Sequence, residues 1–252
     1  MRIYPLSEGS FSIDETKVFK PFNSSSPDYP NRPKGSILVE VQPFVLITDN
    51  DIILLDTGLG YLNNSGILQI HENLMALGID PSKVTKVFLS HLHKDHAGGI
   101  SYLHPQHQEQ FISFPYAKYY VQKREFEEVM QNSSNATLKA QVVILEDFSG
   151  TVWLTEDKGV IDDLIYYEIT GAHCQFHQVA WVKENNEIIF FGADVAPQLQ
   201  QMKSRFVAKY DLEGKKALEY RQLWWEDGNK EGWTFAFYHD ISQPTYKSVS
   251  ST

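Results

Sequence analysis

Short runs of apolar residues separated by polar turns recur along most of the chain, and they predict strands. Residues 37–48 and 52–55 are rich in Val, Ile, Leu and Phe and flank a polar turn at 48–51, which predicts a hairpin. Regular structure is expected to begin near Ile37, because a surface loop rich in Pro, Ser and Asn occupies residues 21–36. Later strands are predicted at 83–89, 118–121, 151–154, 164–169, 179–182, 187–191 and 234–238.

Apolar residues at helical spacing predict helices between these strands. Residues 64–77 carry four apolar side chains on one helical face: Ile67, Ile70, Leu74 and Leu77. Gly78 is expected to end this helix, and further helices are predicted around 123–131 and 211–225. Strands interleaved with helices predict an α+β fold in which two sheets pack together and helices cover their outer faces. We expect one domain over residues 1–252, with residues 1–36 as an N-terminal strand and loop extension.

Composition and charge narrow the class of partner. The 252 residues are 42% hydrophobic and carry a formal net charge of -10, so a nucleic-acid partner is not expected. The chain shows neither a secretory signal nor a long apolar run, so we expect a cytoplasmic protein with no membrane partner. A single cysteine excludes an internal disulfide framework, whereas nine histidines permit an imidazole-based metal site.

Three histidines and one aspartate lie within six residues, directly after the predicted strand 83–89. On an extended chain His91 and His93 point to the same side and can hold one metal ion. Asp95 and His96 can then face a second ion, and the following Gly98-Gly99 pair predicts a tight turn. Imidazole and carboxylate groups without thiolate favour zinc or another borderline first-row metal.

This H-x-H-x-D-H segment resembles the central signature of the metallo-β-lactamase-fold hydrolase superfamily, whose other signature positions recur in order along most of the chain. Asp56, in the sequence Asp-Thr-Gly, resembles the aspartate that supports the ligands without binding metal itself. His173, Asp194 and His239 resemble the remaining ligands of the family. The resemblance implies an αββα sandwich of two mixed β-sheets flanked by helices, with the site at one edge and its ligands at strand ends.

The same resemblance implies a dinuclear metal centre. It assigns one ion to His91, His93 and His173, a second ion to Asp95, His96 and His239, and Asp194 to both. Two divalent ions are expected as cofactors, with zinc first and iron or manganese as alternatives. A hydroxide bridging these ions would be the nucleophile, so the expected catalytic residues are Asp95 and Asp194, with Asp56 orienting a histidine.

The expected function is hydrolysis of a small ester-type substrate. The layout resembles the lactonase and organophosphate-hydrolase branch, which implies a lactone or carboxylic ester first and a phosphoester or organophosphate second. Lactonase members carry a tyrosine shortly after the bridging aspartate, but Asp194 has none there, and Tyr238 or another tyrosine is left to replace it. A glyoxalase II-like thioester hydrolase or a sulfur dioxygenase remains the alternative. Relatives often dimerise, so a homodimer is compatible with the resemblance.

The remaining histidines and the cysteine are expected outside the ligand set. His177 is expected to pack beside a ligand or support one, and Cys174 is expected to be structural. Three other histidines are expected at the surface: His71, His104 and His107. The aromatic-rich region 224–237 is expected to be mostly core, with part of it forming an apolar wall for the substrate.

Overall fold

A computed structural model describes residues 1–23, 32–104 and 109–249. The strands are β1 (Arg2–Pro5), β2 (Gly9–Ile13), β3 (Lys20–Pro21), β4 (Ile37–Val41), β5 (Phe44–Ile47), β6 (Ile52–Leu55), β7 (Lys86–Phe88), β8 (Ser101–Leu103), β9 (Gln110–Ile112), β10 (Lys118–Gln122), β11 (Thr151–Leu154), β12 (Lys158–Ile161), β13 (Ile165–Ile169), β14 (Gln178–Glu184), β15 (Glu187–Phe191), β16 (Thr234–Ala236) and β17 (Thr245–Lys247). The α-helices are α1 (Gln69–Ala76), α2 (Lys94–Ala97), α3 (Lys123–Asn132), α4 (Ala136–Val142), α5 (Leu199–Met202) and α6 (Gly214–Glu231). Short 3-10 turns span Pro81–Lys83, Val143–Leu145 and Ala193–Val195.

Two mixed six-stranded sheets form the centre of the molecule. The first has the order β1-β5-β6-β7-β10-β11, antiparallel from β1 to β6 and parallel from β6 to β11. The second has the order β12-β13-β14-β15-β16-β17 and is antiparallel except between β15 and β16. A three-stranded sheet, β3-β2-β4, and the β8-β9 hairpin lie beside them.

Alternation along the strands divides the apolar side chains between three cores. Leu55 of β6 and Phe191 of β15 belong to one buried cluster that lies between the two large sheets. Leu54 faces the other way and packs with apolar residues of α1, α3 and α4. Phe190 likewise packs outward against Trp224 of α6. The layers therefore form the predicted αββα sandwich, and no helix within the described ranges is long and apolar enough to cross a membrane.

Regular structure begins well before Ile37, so that prediction is wrong. β1 pairs with β5 at the edge of the first large sheet, and β2 pairs with β4. β1 has only four residues and ends at Pro5, which an edge strand tolerates but which gives no sequence signal for a strand. In the predicted loop, Pro21 belongs to β3, and residues 24–31 lie outside the described residues.

The predicted strand 37–48 is in fact two strands, β4 and β5, in different sheets. The break falls at Gln42 and Pro43, and Pro43 has no N–H to donate to a neighbouring strand. The side chain of Gln42 donates instead to the carbonyl oxygens of Phe237 and Asp240. This break directs the chain from the small sheet into the large one.

Three other predicted boundaries are too wide or shifted. α1 begins at Gln69 because the Asn63 side chain accepts hydrogen bonds from the N–H groups of Ser65 and Ile67, which closes a turn before the helix. Gly78 follows α1 with φ +75°, as its predicted role requires. β7 is shorter than the predicted 83–89, and α6 runs to Glu231 rather than ending near residue 225.

The carboxyl ends of five strands meet at one edge of the sandwich. β6 and β7 are parallel, β15 and β16 are parallel, and β13 shares their direction because β13 and β15 are both antiparallel to β14. The residues that follow these five strands include most of the predicted site: Asp56, His91, His173, Asp194 and His239.

Candidate metal centre

The H-x-H-x-D-H segment joins β7 to a short helix. His93 lies on extended chain, but Asp95 and His96 belong to α2 and Asp194 belongs to the 3-10 turn Ala193–Val195. The prediction that every ligand lies at a strand end is therefore wrong for these three. The loop after β6 packs directly on this turn: the Thr57 N–H donates to the His96 carbonyl oxygen at 2.7 Å. A Cβ atom at Gly99 would collide with the Thr57 backbone, which explains why glycine follows the motif.

All seven predicted ligands come together in two groups that match those implied by the family resemblance, except that Asp194, expected in both, falls in the first. Within each group the potential ligand atoms lie within 4.8 Å of one another. The first group contains His91, His93, His173 and Asp194, and the second contains Asp95, His96 and His239.

The two oxygens of Asp194 face different groups. Its Oδ2 lies 3.2 Å from His173 Nε2 and 3.9 Å from His91 Nε2. Its Oδ1 lies 3.0 Å from both His96 Nε2 and His239 Nε2. One carboxylate thus spans the two groups, which is the orientation expected of a residue that binds two ions at once.

Four of the five histidines are held from behind through Nδ1. His96 Nδ1 donates to Asp56 Oδ2 at 2.7 Å, and His239 Nδ1 donates to the Glu40 carbonyl oxygen at 2.6 Å. His91 Nδ1 lies 3.0 Å from Ser90 Oγ, whose own proton goes to Asp56. These bonds leave each Nε2 lone pair free to bind a metal ion, and His173 follows the same rule.

His93 is turned the other way. Its Nδ1 points into the cluster, 2.9 Å from His91 Nε2 and 3.1 Å from His173 Nε2. The side chain lines the open side of the site, so its Nε2 needs no buried partner. Three imidazole nitrogens therefore converge within hydrogen-bonding distance of a common point.

Burial and the Asp194 carboxylate act in opposite directions on the pKa values of the imidazole rings. Loss of hydration lowers the pKa of the His91 imidazole well below its ordinary value and that of His93 to about 4, so both rings are neutral near pH 7. Burial acts in the same direction at His96 and His239, but the Asp194 carboxylate raises the pKa of both rings. Burial opposes ionisation of Asp194, yet the facing histidines hold its pKa well below the usual range.

Two buried polar atoms also indicate that these residues fit a pair of metal ions. His96 Nε2 and Asp194 Oδ1 are buried and lie 3.0 Å apart, but neither atom makes a hydrogen bond of good geometry with any residue in the described part of the chain. Leaving such atoms unpaired costs about 1–3 kcal/mol each unless something binds them. Both atoms point into the space between the ligands, where a cation would satisfy them.

Asp56 supports the centre from the position that the sequence predicts. It is fully buried directly after β6 and accepts hydrogen bonds from the Ser90 N–H, the Ser90 hydroxyl and His96 Nδ1, each at 2.7 Å. Its φ of +61° lies in the left-handed region, which aspartate tolerates better than most residues. Asp56 therefore fixes both the loop before His91 and the ring of His96.

Asp211 is a supporting residue that the sequence did not reveal. Its Oδ1 accepts the Nδ1 proton of His173 at 3.0 Å, and its side chain is almost fully buried. The next two residues are fixed to the same loop, since the Leu212 N–H donates to the carbonyl oxygen of His173 and the Glu213 N–H to that of Ala172. Asp211 thus holds His173 as Asp56 holds His96.

Replacing Asp211 with alanine is expected to weaken metal binding by about tenfold, because the His173 ring loses the partner that fixes its tautomer and direction. Competition with a chromogenic chelator measures this affinity. Asp227→Ala, at a half-buried position on α6, serves as the matched control. Equal affinities for the two variants would show that the Asp211 carboxylate does not support the centre.

The other histidines and the cysteine lie outside the two groups. His177 is fully buried with its ring 4.9 Å from that of His91, in agreement with a packing role. Cys174 Sγ lies 3.6 Å from the buried carboxylate of Glu125 and takes no part in either group. His71 is not a surface residue as predicted, because its Nε2 bonds the Ser113 carbonyl and its ring packs on Phe114. His104 is half-buried, and His107 lies outside the described residues.

A cavity of about 610 Å³ opens in front of the cluster. Its apolar wall comes from Ile13 and Val39 of the small sheet and from Phe19, which directly precedes β3. The aromatic region 224–237 fills the core beneath α6 instead. Tyr238 does not reach the cavity, because its buried hydroxyl donates to the Asp95 carbonyl oxygen at 2.5 Å. Among the described residues, the tyrosine that lines the cavity is Tyr210.

Glu8 is a buried carboxyl group beside the Asp56 loop. It accepts a hydrogen bond from the Leu59 N–H, while its Oε1 has no partner within the described residues. Burial raises the pKa of Glu8 to about 8. The side chain is therefore protonated in the folded chain at neutral pH.

Glu8 is expected to make folding stability fall as pH rises from about 5 to 8. Between the ordinary pKa of 4.5 and the raised value, the unfolded chain has lost this proton and the folded chain keeps it, so rising pH favours unfolding. Glu8→Gln mimics the protonated acid and should remove about 2–4 kcal/mol of this decline, measured by urea unfolding at both pH values. Glu15→Gln, at an exposed position, should decline like the wild type. A wild-type decline in Glu8→Gln would contradict the assignment.

The comparisons with known proteins agree with this geometry. The family model described as the metallo-beta-lactamase superfamily matches residues 38–192. That range includes five of the seven predicted ligands, whereas Asp194 and His239 lie beyond it. No curated protein matches the sequence.

Solved structures with the same fold include three that cover nearly the whole chain. A probable metal-dependent hydrolase from Staphylococcus aureus has a TM-score of 0.77 at 19% identity, covering 98% of this chain and 91% of that one. The hydrolase AbOPH of the beta lactamase superfamily has a TM-score of 0.73 at 22% identity, and the match covers 99% of this chain and 90% of that one. AidC, a dizinc quorum-quenching lactonase, has a TM-score of 0.68 at 18% identity, and the match covers 99% of this chain and 91% of that one.

Proposed function

The chain belongs to the metallo-β-lactamase superfamily, and on this premise we propose that it is a dinuclear metal hydrolase of small ester-type substrates. The substrate class that we favour is a lactone or carboxylic ester, and the second choice is a phosphoester or organophosphate. AidC, which shares the fold, is a dizinc lactonase, and this supports zinc as the metal and a lactone as a substrate. The ions would be held by His91, His93 and His173 on one side and by Asp95, His96 and His239 on the other, with Asp194 between them.

The observation that carries the proposal is the orientation of Asp194. Its two oxygens address two separate sets of histidines, at 3.2 Å on one side and 3.0 Å on the other. A mononuclear site needs no such shared carboxylate, because three protein ligands and one open position are sufficient.

When bound, two divalent ions supply a water molecule of lowered pKa and polarise the carbonyl or phosphoryl group under attack. The protein positions the substrate and stabilises its charge. Burial raises the pKa of the Tyr210 hydroxyl to about 12, so it stays protonated at neutral pH and can donate a hydrogen bond to the substrate carbonyl. The wall formed by Ile13, Phe19 and Val39 excludes water from the bound ester.

Removing the metal ions and adding them back, with hydrolysis as the readout, tests this proposal. Protein stripped with a chelator should hydrolyse none of a lactone, an aryl carboxylic ester and a phosphotriester, and should regain turnover of at least one as zinc is added up to two equivalents per chain. Iron and manganese are titrated in parallel, with oxygen consumption on a persulfide substrate as the readout for a dioxygenase. Turnover that survives complete metal removal, or no turnover of any ester with any metal, would overturn the proposal.

A further inference from the structure

Two lysines line the cavity in front of the metal cluster. Lys17 lies on the turn after β2, and Lys94 lies on α2 between His93 and Asp95. Both side chains are exposed, and neither ammonium group has an ion pair or hydrogen bond with any residue that the structure describes. Most described lysines likewise lack a carboxylate partner, so the feature that sets Lys17 and Lys94 apart is their place in the cavity. The lysines with carboxylate partners are Lys20, Lys86, Lys123 and Lys247.

The described residues that line the cavity include two lysines and two aspartates, in a chain whose net charge is -10. The two aspartates, Asp95 and Asp194, both belong to the predicted ligand groups. Two divalent ions would more than neutralise those two carboxylates. Lys17 and Lys94 then give the cavity an excess of positive charge, which attracts anions from solution.

The rest of the lining provides room for an apolar spacer. Ile13, Phe19, Ile37 and Val39 form an apolar wall beside Lys17, and Phe206 adds to the apolar lining. A chain of methylene groups on this wall would be removed from water. The lining of the cavity thus combines an apolar wall, two cationic groups and several of the predicted metal ligands.

We infer that the substrate of this site is an ester with a free anionic group, a carboxylate or a phosphate, at the far end of an apolar spacer, and that Lys17 and Lys94 determine this specificity. The inference rests on the proposed function for its reaction. It extends that function by naming the charge of the substrate, which the metal ligands alone do not determine.

The test compares two esters that differ by one charge. These are the mono-4-nitrophenyl ester of suberic acid, which carries a carboxylate, and the same compound with that carboxylate as a methyl ester. The zinc-loaded wild type should have a higher kcat/KM for the anionic ester. The ratio of the two kcat/KM values should fall about fivefold in Lys17→Met and in Lys94→Met, as expected for loss of one exposed ion pair.

Lys230→Met is the matched control, because it removes the same charge from an exposed position on α6 outside the cavity. This variant should keep the wild-type ratio. If both cavity variants also keep it, or if the wild type prefers the neutral ester, the inference is wrong while the hydrolase proposal stands.

A binding measurement separates the inference from catalysis. Calorimetry of monomethyl suberate and dimethyl suberate with the zinc-loaded protein needs no turnover, and only the first ligand is charged. The anion should bind more tightly to the wild type, and the advantage should disappear in the double variant Lys17→Met/Lys94→Met. Equal affinity of the wild type for the two ligands would overturn the charge assignment, even if neither ester is hydrolysed.

Discussion

Asp194→Asn is expected to reduce turnover at least 100-fold, the loss of about 3 kcal/mol typical for removal of one group that organises charge at a reaction centre. The amide replaces one oxygen with an NH₂ group that cannot bind a cation. One of the two histidine sets therefore loses its link to the other, and the metal content should fall from two ions per chain to one or fewer. Elemental analysis of the purified variant measures this content directly.

The control for Asp194→Asn is the same substitution at Asp163, which is exposed and has φ +53°, a conformation that asparagine tolerates. Both variants should show the circular dichroism spectrum of the wild type. If Asp194→Asn retains two ions and wild-type turnover, Asp194 does not join the two metal positions.

Asp56→Ala is expected to destabilise the metal-free protein by about 3–5 kcal/mol, because it leaves buried donors of Ser90 and His96 without an acceptor. Alanine must also adopt the positive φ at this position, which adds to the loss. Urea unfolding measures the change, and Asp147→Ala at an exposed position should cost little. A loss below 1 kcal/mol for Asp56→Ala would contradict this account of the buried network.

Asp56→Asn separates support of the metal from support of the fold. Its amide NH₂ would oppose the Nδ1 proton of His96 and favour the tautomer that carries the proton on Nε2, the atom that must bind the metal. Affinity for one of the two ions should therefore fall about 10–100-fold, while the other ion binds as before. Chelator competition resolves the two affinities, and an equal loss at both positions would show a general disturbance instead.

The local part of the candidate site was predictable from the residues themselves, whereas His173, Asp194 and His239 were expected only from the family resemblance. His91, His93, Asp95 and His96 lie within six residues, and their side chains converge through the local geometry of one strand exit and one helical turn. Asp211 carried no such signal. It lies 38 residues from His173, in a polar segment that looks like any surface loop, and only the folded chain brings the two together.

The fold was predictable where burial imposes a pattern. The central strands β6, β14 and β15 are largely buried, so their apolar runs stand out in the sequence. The edge strands β1, β12 and β17 are short and partly exposed, so neither run length nor alternation marks them. The break at Pro43 was readable in principle, since proline cannot donate within a central strand.

The cavity could not be predicted from the sequence, because segments that are far apart in the chain form it. Its walls combine the small sheet at the N-terminal end with Tyr210, which follows α5, and these segments are far apart in sequence. The charge of the cavity likewise follows from which charged side chains line it, whereas composition gives only the net value for the whole chain.

Anomalous diffraction from crystals of the zinc-loaded protein would locate the metal ions. We expect two peaks about 3.5–4 Å apart, one among His91, His93 and His173 and one among Asp95, His96 and His239, with an oxygen of Asp194 at each. A single peak, or zinc bound away from these residues, would contradict this expectation.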